Sequence, residues 1–401
     1  MSCWDVASLQ PYNKDMRRIY MDANATTPLL PEVVDAMRPW LLENFGNASS
    51  IHQHGQRARA AVEHARESVA RLVNCRESEI VFTSGGTESD NMALFGLVKP
   101  GDHVITSSIE HHAVLHAAER LRDRGIEVTF LPVAREGAVD LDDVRRALRP
   151  NTQLISVMMA NNETGVIQPV EEIGRIAHEA DVWFHTDAVQ AAGKINIDVQ
   201  AIGCDLLSVS GHKMHAPQGT GVLYVRRGIR IEPLFFGGAH ERQRRAGTEN
   251  VAGIVGLGRA AELAYGALRN GSMDRVAAMR DLLERGILER VEECSVNGAG
   301  AARVPNTTNL QFENLEGEAL VIALDLKGLA VSGGSACMSG ATEPSHVLTA
   351  MGLVTNRARG SLRFSLTKLN TEEEIDTALE LVPAAVSRLR ELAPVNVGTL
   401  G

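Results

Sequence analysis

The sequence predicts an α/β fold in which a mostly parallel sheet is wrapped by helices and followed by a smaller α+β domain. From about residue 80 to 226, short apolar runs (EIVFTS, HVITSS, EVTFLPV, QLISVMM, VWFHTD, DLLSVS) each give way to a helix-like or polar segment. That rhythm of strand and crossover builds a parallel sheet. From about residue 266 it breaks into a long charged helix pattern, MDRVAAMRDLLERGILERV, then two or three strands around TTNLQFE and LAVSGGSA, then a closing helix. Strands segregated from helices mark an α+β unit. The length of 401 residues exceeds what one hydrophobic core usually organises. We therefore expect a large domain over 19–265, whose first residues can pack with the small domain, a small domain over 266–401, and an extension over 1–18 with no assigned role.

Each element has a local reason. PEVVDAMRPWLLENF and GQRARAAVEHARESVARLV carry apolar residues at three-to-four spacing and read as amphipathic helices covering the sheet. Thr371 followed by Glu372, Glu373 and Glu374 supplies a hydroxyl cap and first-turn carboxylates at the positive end of the last helix. In a sheet of this kind, binding residues gather where the strands end and loops lead away.

Composition narrows the function. Forty basic against fifty acidic side chains give a formal charge of −10, which disfavours a grip on phosphate backbones, so nucleic acid is not an expected partner. Asp5, Lys14 and Asp15 interrupt the stretch where a signal peptide needs an apolar run, and no uncharged apolar run is long enough to cross a bilayer. The cytoplasm is the expected compartment. Five scattered cysteines (Cys3, Cys75, Cys204, Cys294, Cys337), with no CxxC pair, support neither a disulfide framework nor a zinc ribbon. Most are expected as reduced, small buried side chains.

The chemistry-bearing residues fall at strand ends. Thr83-Ser84-Gly85-Gly86-Thr87-Glu88-Ser89 ends a strand and opens a helix, so its amides and hydroxyls suit a phosphate, although alone the run fits a tight turn at least as well. It has neither the Walker lysine nor dinucleotide spacing. Asp187 closes the strand VWFHT, where a buried carboxylate needs a partner. A protonated pyridine nitrogen and the cap of a following helix, AVQAAG, suit it equally. Ser210, His212 and Lys213 follow DLLSVS. The lysine is ordinarily a surface charge, but in this company it suits a Schiff base, with Ser210 and His212 on a phosphate. His111, with His112 and His116, follows another strand. Zinc is disfavoured without the glutamate of HExxH, and an imidazole stacked on a flat cofactor suits His111 better. Cys337 sits in the small-residue run Ser332 to Gly340, a setting for an accessible thiol. Arg363 alternates with apolar neighbours in GSLRFSL and needs an anion, for which a substrate carboxylate is a fork-shaped match.

Taken together, DANATTP, FGNASSIH, FTSGGTESDN, EHHAV, ANNETG, FHTDAVQ, SGHKMHAP, RAGTEN, GGSACMSG, EPSHVL and LRFSL, in this order over residues 19 to 395, resemble the NifS/IscS cysteine desulfurases. Several of these motifs look closer to the NifS branch. The resemblance implies the fold-type I architecture of pyridoxal-phosphate (PLP) enzymes, with a seven-stranded sheet. It implies that Lys213 binds the cofactor's aldehyde, Asp187 pairs with the pyridine nitrogen, His111 stacks on the ring, and Gln190 bonds the phenolic oxygen with Asn162 near it and the substrate. Gly86, Thr87, Ser210 and His212 would hold the phosphate, with Thr248 from the other subunit of a homodimer sharing its active sites. Arg363 would bind the carboxylate of L-cysteine. Cys337 would receive sulfur as a persulfide, releasing L-alanine, and pass it to an iron–sulfur scaffold or another acceptor; no metal is expected beyond a nascent cluster that Cys337 can transiently share. The alternatives on the same fold are a selenocysteine lyase and an aminotransferase, and Cys337 speaks against the latter, which needs no mobile thiol. Gly333 and Met338 depart from the pattern common among relatives.

Overall fold

The computed structural model describes residues 18–238, 240–333 and 344–392. Its strands, in chain order, are β1 (Ile19–Tyr20), β2 (Ile80–Thr83), β3 (His103–Ser107), β4 (Glu127–Leu131), β5 (Thr152–Ser156), β6 (Trp183–Asp187), β7 (Leu206–Ser210), β8 (Gly221–Val225), β9 (Cys294–Val296), β10 (Thr307–Phe312), β11 (Leu329–Ala330), β12 (Ser332–Gly333) and β13 (Ser361–Ser365).

Strands β2 to β8 form one seven-stranded sheet in the order β2-β8-β7-β6-β5-β3-β4. The strands β2, β3, β5, β6, β7 and β8 carry almost only buried residues, because helices cover both faces. That is why the sequence showed them as continuous apolar runs rather than alternating ones. Strand β8 pairs antiparallel with both β7 and β2, and every other pairing in the sheet is parallel. The reason is length: only residues 211–220 join β7 to β8, and a parallel crossover takes a dozen or more residues. The chain must turn back on itself just after Lys213. The remaining six strands point the same way, so their carboxyl ends share one edge.

The helix Gln53–Val73 lies against the helix Val251–Ala267. Contact is close because Gly258 has no side chain; a Cβ there would sit 2.6 Å from Ala65 Cα. The C-terminal unit has its own sheet, β12-β13-β10-β9, with its own core built from Leu310, Phe312, Leu362 and Phe364 and from Leu283, Ile287, Ile375 and Leu379 of its two long helices. The N-terminal segment belongs to this second core: β1 pairs with β11, and Ile19 and Met21 are buried in it. The last helix, Glu372–Leu392, starts as a reciprocal box in which Thr371 Oγ1 accepts the Glu374 amide and the Glu374 carboxylate accepts the Thr371 amide.

Candidate active site

The carboxyl ends of β2, β3, β5, β6 and β7 meet the N-terminal segment and β13 around a cavity of about 440 Å³. It falls in the size range of small-molecule sites, about 300–1,000 Å³. The turn after β2 opens the helix Gly86–Phe95, whose first amides have no acceptor within the helix. Gly86, Thr87 and Ser210 line the cavity at this turn. The turn is pressed onto β8, since a Cβ on Gly221 would come within 2.5 Å of Gly85 Cα. Only glycine fits there, and Gly221 thereby sets how close the turn after β2 lies to β8.

Lys213 follows β7 on a short 3-10 turn, and its Nζ donates to the carbonyls of Asn24 at 2.5 Å and Ala25 at 2.7 Å. Asp187 ends the neighbouring strand β6 and faces the same cavity. Burial pushes its carboxyl up to about 6, opposed by the Val189 amide and by the charge of Lys213. Its Oδ1 accepts the Val189 amide at 2.8 Å. The capping and cavity-facing readings of Asp187 thus coexist in one carboxylate. The capped segment is a series of turns rather than a helix, with Gly193 at φ 74°.

His111 lines the cavity at the start of the helix His112–Arg122. Its Nδ1 accepts the Ala113 amide at 3.2 Å, which puts the ring proton on Nε2. Burial, then the charge of Lys213, lowers it to about 4, so the imidazole is neutral at physiological pH. His212 lines the cavity too, with Nδ1 3.1 Å from Thr26 Oγ1. His112, by contrast, turns to His116 and His346, with ring centroids 4.9 and 4.8 Å apart.

Asn162, Gln190 and Arg363 complete the lining. Arg363, 2% exposed, stands on β13, and the anion it meets is internal: Nη2 donates to Asp22 Oδ1 at 2.7 Å and Nη1 to the Asn162 carbonyl at 3.0 Å. Its buried Nε and the Asn162 Oδ1 have no partner among the described residues. Two unmet polar atoms of opposite character beside a cavity mark where a polar ligand belongs.

Two sequence candidates stand apart. Thr248 is exposed and does not line this chain's cavity. Cys337 lies outside the described residues, but both flanks of its segment are anchored at the site. Ser332 on β12 is the register partner of Arg363, and Ser345 donates to Glu163 Oε2 at 2.5 Å, next to Asn162. Gly333 is not sterically required, since a Cβ there meets nothing within 4 Å. Residues not assigned a role from the sequence also belong here: Asp22, Asn24, Asp90, Glu163 and Lys194. For Asp22, Asn24, Asp90 and Glu163 the only signal was membership of motifs such as DANATTP, and Lys194 lay in none of them; each has partners far away in the chain, Lys194 through Asn24.

Comparison with known proteins decides the family: aminotransferase class-V matches residues 19–378. The chain belongs to the class-V aminotransferases. Among its relatives, "Cysteine desulfurase IscS" of Methanosarcina thermophila is 50% identical over 384 residues, 95% of each chain. A cysteine desulfurase of Trichormus azollae is 50% identical over 382 residues, 94% of this chain and 95% of that one. A solved NifS-like protein superposes with a TM-score of 0.86 at 37% identity, covering 92% of this chain and all of that one. A structure titled "SspA in complex with cysteine" gives 0.77 at 36%, covering 88% and 99%. This class-V aminotransferase is thus similar, over nearly its whole length, to proteins named for desulfurating cysteine.

Proposed function

We propose that the chain is a PLP-dependent cysteine desulfurase that converts L-cysteine to L-alanine and carries the sulfur on Cys337. One observation supports this above the others: the Lys213 amine and the Asp187 carboxylate, from the ends of adjacent strands, line a single cavity together with His111 and Arg363. The residues present suit PLP. Lys213 meets its aldehyde, Asp187 its ring nitrogen, Gln190 its phenolic oxygen, and the Gly86–Thr87 turn with Ser210 and His212 its phosphate. When bound, PLP supplies a ring that draws electrons from the substituents of an attached amino acid.

The chain's own residues do the remainder. Burial makes the charge on Asp187 costly and raises its carboxyl to about 6, and a positive ring nitrogen beside it would favour the ionised form, so cofactor and carboxylate would stabilise each other's charge. Arg363 orients the substrate carboxylate while Asp22 keeps its fork in place. The Lys213 amine takes the α proton, and His111, neutral with its proton on Nε2, serves as the second proton carrier. The Cys337 thiolate attacks the substrate sulfur, forming an S–S bond as the substrate's Cβ–S bond breaks, and the electron pair left on Cβ takes a proton to give L-alanine; the described flanks of the Cys337 segment, Ser332 and Ser345, lie beside Arg363 and Glu163.

The sulfur passes to an iron–sulfur scaffold or another thiol acceptor, in the cytoplasm, where thiols stay reduced. The working unit is a homodimer. Phe45, Ile51 and Phe236 are 83, 91 and 87% exposed, and Ser49 lies 3.4 Å from His240 in the loop that leads to Thr248. An exposed apolar patch of this kind suits a second copy of the chain, placing Thr248 at the partner's phosphate.

The deciding experiment incubates the purified protein with L-cysteine and follows alanine, sulfide and the mass of Cys337. Lys213→Ala loses the yellow visible absorption, whereas Cys337→Ala keeps it and releases no sulfide. Full colour and activity in Lys213→Ala, or undiminished sulfide from Cys337→Ala, refutes the respective assignment.

A further inference from the structure

Behind the cavity lies a second buried amine that the mechanism above does not use. Lys194 is 7% exposed, and its Nζ donates to Gln190 Oε1 at 2.5 Å and to Asn24 Oδ1 at 3.1 Å. A lysine buried so deeply needs a reason, because the cost of burying its charge is large. Burial, then the charges of Lys213 and Arg363, pushes it well below the ordinary lysine range.

The hydrogen bonds show what the amine does. Gln190, 5% exposed, has two inner partners. Lys194 offers N–H to one end of its amide, and the Asn24 carbonyl accepts Nε2 from the other at 3.0 Å. A carbonyl only accepts, and Lys194 donates in either protonation state, so a single orientation of the Gln190 amide satisfies both. Asn24 is pinned in the same manner: its Nδ2 donates to the Asn162 carbonyl at 3.1 Å and to Thr307 Oγ1 at 2.9 Å, leaving Oδ1 for Lys194 and for Asn306 Nδ2. The second hydrogen on Gln190 Nε2 is left for the cavity that Gln190 lines.

We infer that Lys194 is a positioning residue for the reaction: it locks the Gln190 amide with its oxygen inward, so that Nε2 presents a hydrogen-bond donor to an anionic oxygen of the ligand in the cavity. The inference rests on the reading of that cavity as the PLP site, where the oxygen is the cofactor's phenolic one. Without Lys194, Gln190 Oε1 has no inner donor and only the Asn24 carbonyl still holds the amide, so it turns more readily and the donor is withdrawn from the cavity for part of the time. A buried donor lost to an anionic oxygen is a change of about tenfold.

The test compares Lys194→Met in two backgrounds, the parent and Gln190→Ala, as PLP-loaded enzymes. The readouts are the pH midpoint of the visible band and kcat and KM for L-cysteine. In the parent background Lys194→Met raises the midpoint by about one pH unit and lowers kcat about tenfold, with KM changed less than about twofold. In the Gln190→Ala background the same substitution moves the midpoint by less than about 0.3 pH unit and kcat by less than about twofold. Lys194→Gln, whose amide can still donate, recovers at least half of the midpoint shift, and Lys194→Ala carries the two-background comparison if the methionine variant does not fold. Equal shifts with and without Gln190 overturn the inference, because Lys194 then acts only as a nearby charge. A parent protein that binds no chromophore overturns the cofactor reading beneath it instead.

Discussion

Replacing Arg363 with lysine tests the substrate end of the site most directly. The guanidinium does several things at once: Nη2 holds Asp22 at 2.7 Å, Nη1 holds the Asn162 carbonyl at 3.0 Å, and Nε remains for a ligand. A lysine concentrates its charge on one nitrogen and cannot serve Asp22, the carbonyl and an incoming carboxylate from one point. The substrate therefore loses at least one charge-assisted hydrogen bond, worth about 1.5–3 kcal/mol. At about 1.4 kcal/mol per decade this is a ten- to hundredfold rise in KM for L-cysteine, with kcat held within about threefold. Sulfide release against cysteine concentration measures it. Because KM equals a dissociation constant only when chemistry is slow, binding of the product L-alanine, which has the same carboxylate, is measured alongside and should weaken by the same factor. Arg363→Lys with unchanged KM and alanine affinity would show that Arg363 serves Asp22 alone and that the carboxylate is bound elsewhere.

Two further outcomes concern the scaffold under the site. Glu110 is fully buried against β3 and β5, accepting from Ser107 Oγ at 2.5 Å and the Met158 amide at 2.9 Å, and burial raises it to about 8. A raised carboxyl favours the folded state below its unfolded pKa and loses that contribution as pH climbs towards 8. The cofactor-free protein should thus lose stability between about pH 4.5 and 8, by at most about 1.4 kcal/mol per pH unit from this group. Glu110→Gln should flatten that slope in urea titrations, and an unchanged slope rules out Glu110 as its source. Arg66 and Glu241 form a buried two-pronged pair at 2.8 Å that also accepts the Phe82 amide of β2. Glu241→Gln leaves the buried arginine only the part-exposed Glu63 carboxylate at 3.2 Å and should cost about 3 kcal/mol in denaturant unfolding; a loss below about 1 kcal/mol contradicts the pair's structural role.

The strands were legible because a sheet covered on both faces leaves continuous apolar runs in the chain, and the site candidates were legible because binding groups collect where such strands end. The run holding Gly86, together with Asp187, Ser210 and Lys213, was singled out by that rule and lines one cavity, while the roles expected of these residues came from the family resemblance. Residue types were less informative where one group does two things. Asp187 read equally as a cap and as a cofactor partner, and in the fold its Oδ1 takes the Val189 amide while the carboxylate lines the cavity. Arg363 was rightly expected to need an anion, but the anion it meets within the chain is Asp22, 341 residues away.

The sequence by itself determined the layered architecture, the order of the strands along the chain and the chemistry of the amine and carboxylate, since these depend on local periodicity and residue type. Only the tertiary structure decided that residues 19–21 complete the C-terminal core, and that Asn24 joins Lys213, Lys194, Gln190 and Asn162 into one network. Such contacts link residues more than a hundred positions apart, and no local pattern of spacing or hydropathy records which distant donor will satisfy which buried acceptor.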